Sequence, residues 1–184
     1  MRPLLIYVEL NVFKILIYFF ILNSLFISFN TQAKGTYLEP EQFLKNVFGE
    51  EVPKPKKLWI KKDLKSEIKK ILGHDLKVVR LRYWDDGDKT AWILEQIGRD
   101  KPITTGYVIK DNLIERVNVL IFRESRGWEV KYPFFTDQFK QVSLVSNNKL
   151  DKKIDGISGA TLSVKALTKK ARLALFLDSY VKKK

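Results

Sequence analysis

The chain has 184 residues, of which 30% are charged and 45% are hydrophobic, so its composition indicates a folded globular body and excludes a disordered one. It contains no cysteine, which excludes disulfides, cysteine-bound iron–sulfur clusters and thiolate zinc sites. Its one histidine, His74, argues against a histidine metal site or Ser-His catalysis. The formal net charge of +13 fits either attraction to an anionic partner or a generally lysine-rich protein. Because the lysines are scattered, we expect no nucleic-acid partner.

Residues 1–33 are predicted to be an export signal. Arg2 and Lys14 supply positive charge, residues 15–29 are almost wholly apolar, and Thr31 and Ala33 place small residues at a cleavage site. The apolar run is shorter than the roughly 20 residues that span a membrane comfortably. We therefore expect cleavage after Ala33, with an uncleaved N-terminal membrane anchor as the alternative. Either way, the domain that follows is expected in the periplasm or on the outer face of the cytoplasmic membrane.

Residues 34–75 are predicted to form a helical segment ahead of the main domain. A short helix opens at residues 39–41, where Pro40 suits a first turn, and Gly49 ends it. Residues 53–57 form an extended linker. An amphipathic helix follows at residues 62–73, and Gly73 is its expected stop. We interpret His74 as a surface or capping residue.

Residues 76–184 are predicted to form the main domain. Alternating apolar residues and turn residues indicate a four-stranded antiparallel meander over 77–122, in which Val117, Val119 and Ile121 share one face. A helical turn at 134–139 and a short strand at 142–145 follow. The last element is a helix over 161–181. Its expected apolar edge is formed by Leu162, Ala166, Leu173 and Leu177, and a solvated basic stripe by Lys165, Lys169 and Arg172.

The stretch from Asp155 to Ser163, which reads DGISGATLS, joins a loop of small residues to this last helix. Gly156 and Gly159 permit close backbone approach. Thr161 brings a hydroxyl to the helix start, where free N–H groups and the helix dipole favour a phosphate. The simpler interpretation is that the hydroxyls only cap the helix and the glycines only form a turn.

This nine-residue pattern resembles the attachment motif of the FMN-binding domain family. That family includes the C subunit of sodium-translocating NADH:quinone oxidoreductase, the G subunit of the Rnf complex and small exported flavoproteins. The resemblance implies an α+β fold, a twisted antiparallel sheet flanked by helices, with the flavin where the last helix begins. It also implies that Thr161 is esterified to the phosphate of FMN by a Mg²⁺-dependent transferase that uses FAD and releases AMP. The matching residues are Asp155, Gly156, Ser158, Gly159, Ala160, Thr161 and Ser163.

The resemblance assigns roles to the neighbours of Thr161. Gly159 and Ala160 keep bulk away from the hydroxyl, while Ser158 and Ser163 offer hydrogen bonds to phosphate oxygens. Asp155 is expected to fix the loop by accepting backbone N–H groups, or to be recognised by the transferase. Gly156 and Leu162 complete the expected cofactor-binding stretch.

A second segment, residues 123–127, resembles the Glu-x-x-Gly loop that lies near the flavin in the family. Glu124 is therefore a further candidate for the flavin site, with an ordinary loop as the alternative. Four aromatic residues follow, which either join the core or cover the isoalloxazine ring: Trp128, Tyr132, Phe134 and Phe135.

The leading interpretation is an exported electron carrier with FMN covalently bound through Thr161. Its expected partners are the FMN transferase and redox proteins linked to membrane quinones or cytochromes. With no catalytic residue or metal site predicted, an electron-transfer role is favoured over that of an independent enzyme. Two alternatives stay open: a membrane-anchored subunit of a larger redox complex, and a basic binding module that carries no flavin.

Overall fold

A computed structural model describes residues 35–183. The predicted export signal lies outside this range. The strands are β1 (Gly35–Thr36), β2 (Lys56–Trp59), β3 (Arg80–Asp85), β4 (Lys89–Ile97), β5 (Pro102–Lys110), β6 (Leu113–Phe122), β7 (Leu144–Val145) and β8 (Lys149–Leu150). The helices are α1 (Pro40–Phe48), α2 (Lys62–Leu72), α3 (Pro133–Thr136) and α4 (Thr161–Lys182), with 3₁₀ turns at Trp128–Lys131, Asp137–Phe139 and Ser146–Asn148. Within residues 35–183, no helix combines the length and apolar character needed to cross a bilayer.

Six strands form one antiparallel sheet in the order β1-β6-β5-β4-β3-β2, while β7 and β8 form a separate ribbon. The β3–β4 turn forms where Asp86 Oδ1 accepts the N–H groups of Asp88 and Lys89, at 3.0 and 2.9 Å. At the β5–β6 turn, Asp111 and Asn112 both take positive φ, as tight hairpins require. The α+β prediction is confirmed.

The sheet carries a core on each face. The larger core lies between the sheet and helices α2 and α4, and the smaller one lies under α1. In the smaller core, a Cβ at Gly106 would lie 2.5 Å from Phe43 Cζ, so only glycine at this position allows Phe43 of α1 to pack against β5. Helices α2 and α4 thus pack on one face of the sheet and α1 packs on the other.

One predicted face of β6 is wrong. Val119 pairs with Thr105 and Ile121 with Thr104, which leaves Leu120 as an extra residue in the strand. This bulge changes the alternation, because side chains on either side of an inserted residue no longer keep the period of two. Val119 therefore packs in the larger core, whereas Leu120 and Ile121 pack in the smaller one.

Helix α4 is bound to the sheet by buried polar contacts as well as apolar ones. The Tyr107 hydroxyl donates to Leu167 O at 2.9 Å, and the Thr90 hydroxyl donates to Asp178 Oδ1 at 2.6 Å. The predicted apolar edge is correct for Ala166, Leu173 and Leu177, which are buried, and wrong for Leu162, which is 47% exposed. Leu162 lies in the first turn, where no described element covers that side of the helix.

The basic residues of α4 are not the solvated stripe that the sequence predicts. Lys165 is exposed, but Lys169 Nζ donates to Leu72 O at 2.8 Å and Arg172 Nη2 to Ile71 O at 3.4 Å. The last carbonyls of a helix have no intrahelical partner and carry its negative dipole end, so cations bind there favourably. These two side chains therefore join α4 to the end of α2.

Candidate functional site

The candidate site lies where residues 155–160 lead into α4. Ala160 is the residue before the helix, and its N–H donates to Ile157 O at 3.0 Å. Gly159 has φ +79°, a left-handed conformation that favours glycine. Ile157 packs partly against the larger core and anchors the loop. Thr161 is consequently the first residue of a 22-residue helix and is exposed to solvent.

This helix start is electropositive. Its first N–H groups have no intrahelical acceptor. Ala160 provides no side-chain cap, and the first turn contains no acidic residue. A negative group placed at Thr161 would therefore meet the positive end of the dipole without an acidic side chain of that turn beside it.

The site is open on one side and tightly packed on the other. A Cβ built at Gly156 or Gly159 has no heavy atom within 4 Å, whereas one built at Gly127 would lie 2.6 Å from Ser163 Oγ and 3.3 Å from Ala160 Cβ. The loop after β6 thus touches the first turn of α4. The nine predicted residues divide accordingly. Asp155, Gly156, Ser158, Gly159, Thr161 and Leu162 are exposed, whereas Ala160, Ser163 and Glu124 are buried.

Glu124 faces the β4–β5 turn. Its Oε1 accepts the N–H groups of Arg99, Asp100 and Lys101 at 2.5, 2.8 and 2.9 Å, and the residue is only 3% exposed. Gly98 lies so close that its Cβ would come within 2.9 Å of the same oxygen. Glu124 therefore fixes this turn and the start of the loop, while Gly127 makes the contact with the motif.

The loop that carries Asp155 is held by a residue that the sequence did not single out. The Asp155 N–H donates to Gln138 Oε1 at 2.7 Å. The Asp155 carboxylate accepts no hydrogen bond from the described residues, so the expected role of fixing the loop falls to Gln138. Gln138 is 17 positions away in the sequence. No local pattern marks it.

An aromatic patch, formed by Trp128, Tyr132 and Phe134, follows Gly127. Tyr132 is 40% and Phe134 is 62% exposed, while Trp128 is half-buried against the larger core and Phe135 is fully buried. Of the two interpretations of these rings, joining the core therefore holds for Phe135 and in part for Trp128, while covering of a flavin by the exposed rings stays a prediction. Lys131 Nζ lies 5.1 Å from the Tyr132 ring centroid and 5.2 Å from that of Trp128, a cation–π arrangement that residue patterning had not indicated.

Residues 98–175 match the family model of the FMN-binding domain. This chain contains an FMN-binding domain. The match spans the turn that Glu124 holds, the loop of Gly127, the motif and most of α4. No curated protein matches the chain.

The residues of this FMN-binding domain fit the cofactor in two respects. An exposed hydroxyl, an uncapped helix start and the open space at two glycines suit the phosphate end of FMN. The exposed rings of the aromatic patch offer an apolar surface of the kind that a flavin ring requires. The chain is therefore a flavin-binding protein, and the manner of attachment is a separate question.

Proposed function

We propose that the chain carries FMN covalently, through a phosphoester to Thr161 Oγ1, and acts as an exported electron carrier. The observation that supports this most directly is the position of Thr161. It is the exposed first residue of a long, uncapped helix inside the matched FMN-binding domain.

The attachment is a reaction that Thr161 undergoes and does not catalyse. A bond forms between Thr161 Oγ1 and the FMN phosphorus, the pyrophosphate bond of FAD breaks, AMP leaves and the hydroxyl proton is released. Among residues 35–183, no side chain accepts a hydrogen bond from this hydroxyl, so the transferase must supply the base. The open space at Gly156 and Gly159 would let that enzyme approach.

A covalent bond would keep the flavin on the protein where the helix dipole alone could not. The helix dipole stabilises an anion by about 0.3–1 kcal/mol, which is too little to retain a flavin against dilution outside the cell. Once bound, the flavin would supply the redox chemistry. The chain would hold its phosphate at α4, offer the aromatic patch to its ring, and place the positive charge of Lys131 beside that patch.

Export and partners are supported by the sequence. Residues 1–33 have the pattern of an export signal, and the +13 charge suits docking to acidic redox proteins. If residues 1–33 were retained, the chain would instead be a membrane-anchored subunit of a larger redox complex. The family match favours either of these over a flavin-free binding module.

Intact mass spectrometry of the full chain, coexpressed with an FMN transferase in a bacterium, tests the proposal. We expect a gain equal to FMN minus one water in the wild type and in Ser146→Ala, which removes an exposed hydroxyl outside the motif. We expect no gain in Thr161→Ala. A wild type without added mass, in cells that flavinylate another protein, would refute covalent attachment. The same spectrum reports whether residues 1–33 are removed.

A further inference from the structure

A cleft opens in the sheet where β3 and β4 separate. The two strands pair only through Tyr83 with Trp92, Trp84 with Ala91 and Asp85 with Thr90. Beyond this point β3 continues along β2, and β4 continues along β5. The resulting cleft has a volume of about 980 Å³, which lies in the range of small-molecule sites.

More than half of the residues that line the cleft are apolar. Leu81 comes from β3, Ile93 and Leu94 from β4, and Leu173 from α4. Such walls favour the hydrocarbon part of a ligand, because burying it removes apolar surface from water. They do not by themselves indicate what else the ligand carries.

Lys170 favours a ligand that carries a negative charge. It lies on α4, is 3% exposed and lines the cleft. Among residues 35–183, its amine has neither a hydrogen-bond acceptor nor an ion-pair partner. Glu95, the acid that acts electrostatically on Lys170, already accepts the Thr104 hydroxyl at 2.7 Å and lies 3.5 Å from Arg123 Nη1. A buried ammonium without a partner is costly, and a bound anion would remove that cost.

The other charges around the cleft favour the same ligand. Burial, and then the neighbouring Lys169, lower the pKa of Lys170 to about 8, and Glu95 only partly opposes this. The remaining charged groups are three cations and one acid on the strands and on α1: Lys57, Arg80, Arg82 and Glu41. With Lys170 and Glu95 included, the cleft has four cationic groups against two acidic ones.

We propose that this cleft binds a small amphipathic carboxylate, whose anionic end contacts Lys170 Nζ and whose hydrocarbon chain lies along Leu81, Leu94 and Leu173. The site is separate from the flavin site. Lys170 follows Thr161 by nine residues, which places it about 13 Å further along the helix and roughly half a turn around it.

Octanoate is a suitable probe, with octanol as its neutral counterpart and inorganic phosphate as an anion without a hydrocarbon chain. Isothermal titration of the full chain at pH 7 is expected to give binding of octanoate that is at least tenfold tighter than that of either control. Equal binding of octanol would refute the anion requirement, and equal binding of phosphate would refute the apolar one. Failure of the wild type to bind octanoate would refute the site.

Variants and pH locate the binding. Lys170→Met should weaken octanoate binding at least about tenfold. Lys165→Met replaces an exposed lysine of the same helix and should leave octanoate binding unchanged. From pH 7 to pH 9.5 the wild-type affinity should fall about 30-fold as the Lys170 amine loses its proton. Unaltered binding in Lys170→Met, or a flat pH profile, would overturn the assignment.

A flavin-free variant separates the two sites. Thr161→Ala should bind octanoate as the wild type does, because its cleft is intact. Loss of binding in this variant would place the ligand at the flavin and refute a separate site.

Discussion

Replacement of Gly127 by alanine should destabilise the protein by about 3 kcal/mol. Gly127 has φ +79°, and a left-handed alanine costs roughly 1–2 kcal/mol. In addition, the new Cβ would lie 2.6 Å from Ser163 Oγ and 3.3 Å from Ala160 Cβ. Overpacking of this kind costs about 1–3 kcal/mol, because the loop or the first turn of α4 must shift.

The matched control is Gly73→Ala. Gly73 has nearly the same left-handed backbone, with φ +76° and ψ 9° against φ +79° and ψ 22° at Gly127, but its Cβ would meet only Lys169 Nζ, at an ordinary contact distance of 3.8 Å. We therefore expect a loss of only about 1–2 kcal/mol from backbone strain there. Urea denaturation of the flavin-free protein, followed by tryptophan fluorescence, measures both variants. If Gly127→Ala costs no more than Gly73→Ala, the loop does not press on the helix start and the argument for a packed site fails.

The remaining predictions concern two of the buried ionisable groups, Glu124 and Lys170. Glu124→Gln should lower the free energy of unfolding, measured by urea denaturation, by about 1.5–3 kcal/mol, because the Glu124 carboxylate accepts three backbone N–H groups. The control, Glu115→Gln, removes a partly exposed ion pair with Lys89 and should cost under about 1 kcal/mol. Equal losses of stability in the two variants would contradict the structural role of Glu124. For Lys170, the folded pKa of about 8 lies below the ordinary lysine pKa of 10.5. The unfolded chain therefore binds more protons between these two pH values, and the free energy of unfolding should rise with pH there. The wild type should gain roughly 3 kcal/mol relative to Lys170→Met across that window, and parallel profiles would contradict a buried, unpaired amine.

The meander and the helices follow from local patterns, which is why the sequence predicts them well. Gly49 and Gly73 end α1 and α2 as expected, and β6 ends at Phe122, where the predicted meander ends. The bulge at Leu120 has no such signal, because it depends on how Thr104 and Thr105 pair with the neighbouring strand. Pattern reasoning therefore assigns the strand but not the side on which Ile121 lies.

The candidate site, too, is predicted by the sequence only where it depends on local patterns. The motif identifies Thr161, and the helix start follows from the residues beside it. The partners that hold the loop are distant in sequence: Gln138 for Asp155, and the turn at 99–101 for Glu124. The caps that Lys169 and Arg172 place on α2 are also beyond pattern reasoning, because a basic residue at helical spacing normally faces solvent.

The unit that folds is larger than the segment that the family model matches. A chain trimmed to residues 98–175 would lack β4, which pairs with β5 over nine residues. Strand β5 would then be an edge strand with unpaired backbone N–H and C=O groups. The trimmed chain would also lack Trp92, which is fully buried, and the α2 carbonyls that Lys169 and Arg172 bind. The residues ahead of the match are thus part of the scaffold that keeps α4, and with it Thr161, in place.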